Sequence, residues 1–110
     1  MAKNFRLRIT EIKDNGGYEH DFIGTVNGEV IGRAELLINK DEAEFRIHLL
    51  PEWQNRGYGE KLSKAAIGEG LKYLKRIWLG FDDGNEGARK LYEGLGFKYY
   101  LHRMEIRCSE

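Results

Sequence analysis

The chain has 110 residues, with 18 Lys and Arg against 18 Asp and Glu, so its formal net charge is zero. This length allows one domain, residues 1–110, and not two. The balanced charge argues against nucleic-acid binding, and a single cysteine excludes a disulfide-rich secreted scaffold. No apolar run is long enough to span a membrane, and we find no signal peptide. We therefore expect a cytoplasmic protein.

The first half of the chain predicts four antiparallel strands. Apolar and polar residues alternate at 5–10 and at 44–49, as is typical of strands with one buried face. Asn27-Gly28 is a strong hairpin signal, and turn-forming residues at 14–17 and 39–41 separate the other runs. We expect strands at about 5–10, 18–26, 29–38 and 44–49. One face of the third strand is expected to carry Val30, Ala34, Leu36 and Ile38.

The second half changes from the strand period to the helix period. Apolar residues recur at helical spacing from Tyr58 to about Leu74. Gly68 and Gly70 lie inside this run, and because glycine weakens a helix, we expect them to allow close packing or contact. A strand at 77–81, a helix at about 88–95 and a last strand at 97–106 follow. The order ββββ-α-β-α-β predicts an α+β or mixed-sheet domain.

A glycine-rich segment lies between the fourth strand and the first helix, with the sequence Gln54-Asn55-Arg56-Gly57-Tyr58-Gly59. Glycines at a helix N-terminus let backbone N–H groups approach an anion such as a phosphate. The dinucleotide-binding fingerprint does not fit, because Leu62 stands where its third glycine would be, and the Gly-Lys-Ser/Thr ending of a P-loop is missing. The segment alone is equally compatible with a turn that binds nothing.

A second segment, Asn85-x-x-Ala88-x-x-Leu91-Tyr92-x-x-x-Gly96-Phe97, follows the next predicted strand. Together with Gln54-x-x-Gly57-x-Gly59, it resembles the GNAT superfamily of N-acetyltransferases over about residues 43–97. The resemblance implies a mixed, mostly antiparallel sheet whose fourth and fifth strands splay apart. It also implies acetyl transfer from acetyl-CoA to an amine, by direct attack through a tetrahedral intermediate.

The resemblance assigns the CoA pyrophosphate to backbone amides at the start of the first helix. The residues in that stretch are Arg56, Gly57, Tyr58, Gly59 and Glu60, with Gln54 and Asn55 leading in. The pantetheine arm would enter between the splayed strands and pair with the main chain near Leu49 and Leu50, where one N–H would polarise the thioester carbonyl. Asn85 matches the position that hydrogen-bonds this arm, and it also suits a helix N-cap.

Three further residues are candidates for the proton transfers of the reaction. Tyr92 matches the tyrosine that acts as general acid in many family members, although its spacing also suits a core aromatic. The amine must lose a proton, and Glu44 and His48 on one face of the fourth strand are candidate bases. Strand alternation alone would equally place both on a solvated face. Glu35 and Asp82 are weaker candidates.

The sequence departs from the family between the first and second strands, where two helices usually wall the acceptor pocket and only a turn is predicted here. The acceptor could be a small amine or a protein or peptide amine, and a second copy in a homodimer could complete the wall. The alternative is a non-catalytic acyl-CoA-binding or partner-recognition module. Three histidines and one cysteine show no metal-ligand spacing, so no metal is expected. A basic strip for nucleic acid would need four terminal-strand residues, Arg6, Arg8, Arg103 and Arg107.

Overall fold

The computed structural model describes residues 6–13, 15–80, 86–100 and 103–108. Within these ranges, seven strands, two α-helices and two short 3-10 turns follow one another. Their order is β1 (Leu7–Lys13), a 3-10 turn (Asn15–Gly17), β2 (Glu19–Val26), β3 (Glu29–Asn39), β4 (Glu42–Leu49), a 3-10 turn (Pro51–Trp53), α1 (Tyr58–Gly70), β5 (Arg76–Gly80), α2 (Glu86–Gly94), β6 (Lys98–Tyr100) and β7 (Arg103–Arg107). No helix in these ranges is both long and apolar enough to cross a membrane.

The strands form one sheet in the order β1-β2-β3-β4-β5-β7-β6. All neighbouring pairs are antiparallel except β4 and β5, which are parallel. Pairing between β4 and β5 runs only from Glu42 opposite Arg76 to Glu44 opposite Trp78. Because β4 continues to Leu49, its last five residues diverge from β5. The predicted fold class, with its splayed fourth and fifth strands, is confirmed.

The end of the chain differs from the prediction of one strand over residues 97–106. It forms a hairpin in which Tyr100 pairs with Arg103, and β7 lies between β5 and β6. The segment Leu101-His102 contains no Gly, Asn or Pro, the residues that usually signal a break between strands. The apolar residues do change phase, from the odd positions of Phe97 and Tyr99 to the even positions of Met104 and Ile106, and this change is the signal that the prediction of one strand overlooked.

The third strand contains a β-bulge that the sequence did not reveal. Gly24 pairs with Gly32 and Thr25 with Val30, so Ile31 is an extra residue in β3. A bulge reverses which residues face the core on its two sides. Val30 is accordingly 55% exposed and Ile31 is fully buried, whereas Val30 had been expected on the face of Ala34.

Both helices pack on the same face of the sheet. Leu62, Ala66 and Ile67 of α1 are buried in the main core, and Tyr92 of α2 packs against that core. The helix α1 ends at Gly70, before the predicted Leu74. A Cβ at Gly70 would lie 2.8 Å from Ile77 Cδ1, which confirms close packing there, whereas Gly68 faces open space.

The opposite face of the sheet, which we call the outer face, carries Glu35 on β3 and Glu44, Arg46 and His48 on β4. In the described part of the chain, neither helix packs on it, because both belong to the core on the other side. Five residues, 14–18, connect β1 to β2, and the described ones among them contain the 3-10 turn at Asn15–Gly17 and no α-helix. The predicted lack of a helix pair at this position is confirmed.

Candidate functional site

The divergence of β4 from β5 leaves backbone groups of β4 without a strand partner on that side. The Leu50 N–H donates to the Ile31 carbonyl of β3 at 2.9 Å, so it is not available for the role expected of it. Successive residues of a strand direct their N–H groups to opposite edges. The N–H groups of Leu49 and Ile47 therefore face the gap between β4 and β5. Ile47 was missed in the sequence, although the same alternation identifies it.

The N-terminus of α1 lies at the open end of this gap. Gly57 is the N-cap residue, with φ of 87° and no side-chain cap hydrogen bond. The first N–H groups of an α-helix have no acceptor within the helix, and the helix dipole makes this end electropositive. The first intrahelical bond of this helix runs from the Lys61 N–H to the Gly57 carbonyl at 3.3 Å. The start of α1 is therefore suited to bind an anion.

Gly57 and Gly59 serve different purposes in this loop. Gly57 has a left-handed backbone with open space around it, so an anion could approach its amide. A Cβ at Gly59 would lie 3.1 Å from Leu49 Cδ1, so this glycine lets α1 pack closely on the end of β4. Gln54 Nε2 donates to the Leu49 carbonyl at 3.1 Å and fixes the loop to the same strand end. The loop and the open end of the gap are thus adjacent.

Aromatic side chains support the remaining residues of the loop. The Arg56 guanidinium lies over the Trp53 ring, 5.3 Å from its centroid, and Trp53 packs edge-on against Tyr58 at 5.6 Å. Asn55 adopts a left-handed backbone with φ of 61°. Glu60 in the first turn pairs with Lys64 at 3.4 Å. Trp53 was not among the predicted site residues, and only its position beside the glycine loop pointed to it.

Tyr92 lies on the helix-covered side of the gap. Its ring packs edge-on against Phe45, at 6.3 Å between centroids, and against Phe97 at 5.8 Å. Phe45 is the first residue of β4 beyond the stretch paired with β5. Burial raises the pKa of the Tyr92 phenol, so the phenol holds its proton at neutral pH. Asn85 and Asp82, the other candidates from this segment, lie outside the described residues.

The backbone after Tyr92 holds the tyrosine in place. Gly96 has φ of 102°, its N–H donates to the Glu93 carbonyl, and the Phe97 N–H donates to the Tyr92 carbonyl, both at 3.0 Å. This pair of bonds is the Schellman motif that ends many helices. The predicted role of Gly96 in closing the helix is confirmed, and the motif also brings Phe97 onto the Tyr92 ring.

The two candidate bases share the outer face, as predicted, but they occupy different ends of β4. His48 adjoins Leu49 at the open end of the gap, is 64% exposed, and has its Nε2 3.3 Å from Glu35 Oε1. Glu44 lies at the last position paired with β5 and contacts Arg46 Nε at 3.2 Å. Three residues of strand lie between them, and their Cα atoms are about 13 Å apart. Of the two, only His48 adjoins Leu49, which the loop before α1 contacts through Gln54.

An open groove of about 450 Å³ lies beside His48 on the outer face. Its walls are largely apolar and include Ile23, Val30, Leu50 and Pro51. Close by, the carboxylates of Glu19, Asp21 and Glu35 lie within 4.8 Å of one another. Arg33 and His48 also line the groove, and Glu35, one of the three carboxylates, lies 3.3 Å from His48.

The order of these features along the chain matches a known family. The sequence model of the Acetyltransferase (GNAT) family matches residues 3–97. The chain belongs to the GNAT family. The resemblance inferred from the two glycine-containing segments is thereby confirmed, and enzymes of this family use acetyl-CoA as cosubstrate.

Among the similar proteins, the spermidine N(1)-acetyltransferase of Escherichia coli (strain K12) is 36% identical over 84 residues. That match covers 72% of this chain and 45% of the relative, so the chain spans less than half of that relative's length. An uncharacterized N-acetyltransferase of Lactobacillus delbrueckii subsp. lactis is 29% identical, covering 96% of this chain and 69% of the relative.

The fold is also similar to that of solved acetyltransferase structures. The dodecameric spermidine N-acetyltransferase of Vibrio cholerae superimposes with a TM-score of 0.75 and 28% identity, covering 86% of this chain and 67% of that one. A point mutant of the same enzyme gives a TM-score of 0.79 at the same identity and coverage. This enzyme has also been solved in complex with manganese ions.

Proposed function

We propose that the chain is an acetyl-CoA-dependent N-acetyltransferase that acts on small cationic amines. The observation that carries the proposal is the gap between β4 and β5, which opens directly onto the uncapped N-terminus of α1. An anionic donor with a long, peptide-like arm fits such a combination, since the helix start suits phosphates and the strand edge suits amides.

The residues present fit acetyl-CoA. The first turn of α1 and the open Gly57 backbone would hold the pyrophosphate, with the Arg56 charge nearby. The Leu49 and Ile47 backbone groups would pair with the pantetheine arm. Acetyl-CoA supplies an acetyl group activated as a thioester. A strand N–H that is fixed in advance and faces the thioester oxygen would stabilise the negative charge that develops there.

Two side chains would move protons on opposite sides of the gap. His48, on the outer face, would take a proton from the attacking amine, because a neutral imidazole accepts protons readily near neutral pH. Tyr92, on the helix-covered face, would donate its phenolic proton to the departing thiolate. Its raised pKa suits this role, because the phenol remains protonated until a base forms beside it.

The outer face favours an acceptor with more than one positive charge. Glu35 contacts Arg33 and His48, at 3.4 Å and 3.3 Å, and the carboxylates of Glu19 and Asp21 on β2 lie within 4.8 Å of its own, so three carboxylates are grouped beside His48. A polyamine would place one amine at His48 and a second ammonium near these carboxylates, which lie on the opposite side of the Arg33–His48 pair from the apolar groove. The names of the E. coli and V. cholerae relatives, both spermidine acetyltransferases, agree with this class of acceptor.

Calorimetry and a thiol-release assay test the proposal. We expect acetyl-CoA to bind, spermidine to release free CoA thiol, and butylamine, which has no second charge, to require at least about tenfold higher KM. Absence of binding heat with acetyl-CoA at high micromolar concentration would overturn the proposal. Binding without thiol release from either amine would instead favour the non-catalytic module. The observation in favour of that alternative is that neither described helix covers the outer face. Equal KM values would contradict the cationic acceptor.

A further inference from the structure

Glu35 is an unusual residue on the outer face because its side chain is only 11% exposed. The strand register places Arg33 directly opposite His48, and Glu35 opposite Arg46. Glu35 and His48 are therefore diagonal neighbours on the same face, a spacing that long side chains can bridge. From the sequence, Glu35 was among the weaker candidates for the base, because strand alternation predicts neither the burial of its side chain nor its contact with His48.

The surroundings of Glu35 fix the direction of its carboxylate. Its carboxylate lies between Arg33 Nη2 at 3.4 Å and His48 Nε2 at 3.3 Å. On the other side, the carboxylates of Glu19 and Asp21 lie within 4.8 Å. A nearly buried carboxylate requires hydrogen-bond donors or cations around it. The His48 ring is 64% exposed, and within the described ranges its contact with Glu35 is the one that restrains it.

We propose that Glu35 is a positioning residue for His48. By accepting from Nε2–H, Glu35 would hold the proton on that nitrogen and leave Nδ1 with the free lone pair that removes the amine proton. Transfer then gives an imidazolium with protons on both nitrogens, while Glu35 stays ionised and stabilises it. The inference rests on the proposed function, in which His48 is the base.

Kinetics of a double-mutant cycle test this coupling. We expect Glu35→Gln to lower kcat for spermidine at least about tenfold and to change KM less than about threefold. In a His48→Gln background, the same substitution should change kcat by less than about twofold, because the group it positions is gone. Equal losses of kcat in the two backgrounds, or no loss in either, would overturn the proposal.

Glu105 offers a matched control for folding effects. It is also a nearly buried glutamate, 10% exposed, whose carboxylate lies on β7 within 3.5 Å of Arg76 and Arg107 and contacts no histidine among the residues that the structure describes. Glu105→Gln should change the melting temperature about as much as Glu35→Gln and leave kcat unchanged. A Glu35→Asp variant should recover part of the lost kcat, since it restores the charge at a greater distance.

A second measurement does not depend on turnover. Long-range ¹H–¹⁵N correlation spectra of the His48 ring, assigned with His48→Gln, should report the Nε2–H tautomer in the wild-type protein and a mixture in Glu35→Gln. The same tautomer in both proteins would overturn the proposal. If no amine is acetylated but the tautomer changes as expected, Glu35 positions His48 and it is the proposed enzymatic function that fails.

Discussion

The two faces of the sheet carry different kinds of side chain. On the helix-covered face, apolar side chains fill a core between α1, α2 and the strands. The features there that suit a ligand are mostly backbone features, such as the Gly57 conformation and the strand edge at Leu49. The outer face has charged side chains in register, and its candidate site consists of Glu35, His48 and the groove beside them.

This difference separates two requirements of an acetyltransferase. A donor common to a whole family can be held by backbone groups, which any sequence of the right shape presents. An acceptor that varies between enzymes must be selected by side chains. We therefore expect the motifs shared with the family on the packed face, and the side chains that select the acceptor of this chain on the outer face.

The largest expected effect comes from replacing Gly32 of β3, which pairs with Leu49 at the end of β4. A Cβ at this position would overlap the His48 carbonyl oxygen and lie 2.9 Å from Leu49 Cα, so the backbones of β3 and β4 would have to move apart. We expect Gly32→Ala to destabilise the protein by about 3 kcal/mol or more. Both acetyl-CoA binding and turnover should fall with it. Thermal unfolding and calorimetry measure the two effects.

Gly68 provides the control for this substitution. It lies on α1 with open space where a Cβ would be, so Gly68→Ala should stabilise the helix by up to about 1 kcal/mol. Acetyl-CoA affinity should not change. If Gly32→Ala unfolded at the temperature of Gly68→Ala, the close approach of β3 and β4 would not be a requirement of the fold.

The next effect concerns chemistry on the packed face. Tyr92→Phe keeps the ring contacts with Phe45 and Phe97 and removes only the hydroxyl. We expect kcat to fall about a hundredfold with little change in acetyl-CoA affinity or melting temperature, since general acid catalysis commonly contributes this much. Tyr100→Phe, at an exposed position on β6, should be indistinguishable from wild type. An unchanged kcat in Tyr92→Phe would leave Tyr92 with a packing role alone.

A smaller effect is expected from charge at the helix start. Arg56 lies over Trp53 beside the first turn of α1, where it would add positive charge to a site made mainly of amides. Arg56→Gln should weaken acetyl-CoA binding about threefold to tenfold, and less so at high salt. Arg46→Gln, which removes a positive charge on the outer face, should not change this affinity. Titration calorimetry at two salt concentrations separates the two variants.

The sequence predicted the packed face better than the outer face. Glycine spacing and helical periodicity located the loop, α1 and Tyr92, because those features depend on local conformation. The bulge at Ile31 and the pairing of Tyr100 with Arg103 were not predicted. The alternation is interrupted at Val30-Ile31 and at Tyr99-Tyr100, but such an interruption does not say which strand is the neighbour or in which register it pairs.

The same dependence on neighbouring strands explains why the candidate site was predicted only in part. Leu49 and Leu50 looked equivalent in the sequence, but pairing with β3 takes the Leu50 N–H and leaves that of Leu49 toward the gap. Glu44 and His48 looked equivalent too, until the register placed Glu44 where β4 still pairs with β5. Glu35 gained importance only through burial and a diagonal contact. In each case the deciding fact lies in the partner strand.

The smallest expected effect concerns His20, which is buried on the packed face, unlike the exposed His48 of the outer face. His20 stacks on Phe22 at 4.4 Å, and its Nδ1 lies 2.7 Å from Tyr73 Oη. Burial is the largest cause that lowers its pKa, although Glu11 acts in the opposite direction. In the unfolded chain a histidine has its usual pKa of about 6.5. As the pH falls through that value, the unfolded chain therefore binds a proton that the folded protein resists, and stability decreases.

We therefore expect the melting temperature to fall between pH 7.5 and pH 5.5, and His20→Gln to reduce this fall. The difference between the two curves isolates His20, because the other titrating groups are common to both proteins. Parallel curves would mean that the folded protein accommodates the protonated ring at no cost. A steeper fall of the melting temperature for wild type than for His20→Gln would instead show that the packed face disfavours a buried positive charge. The outer face, in contrast, carries charged side chains.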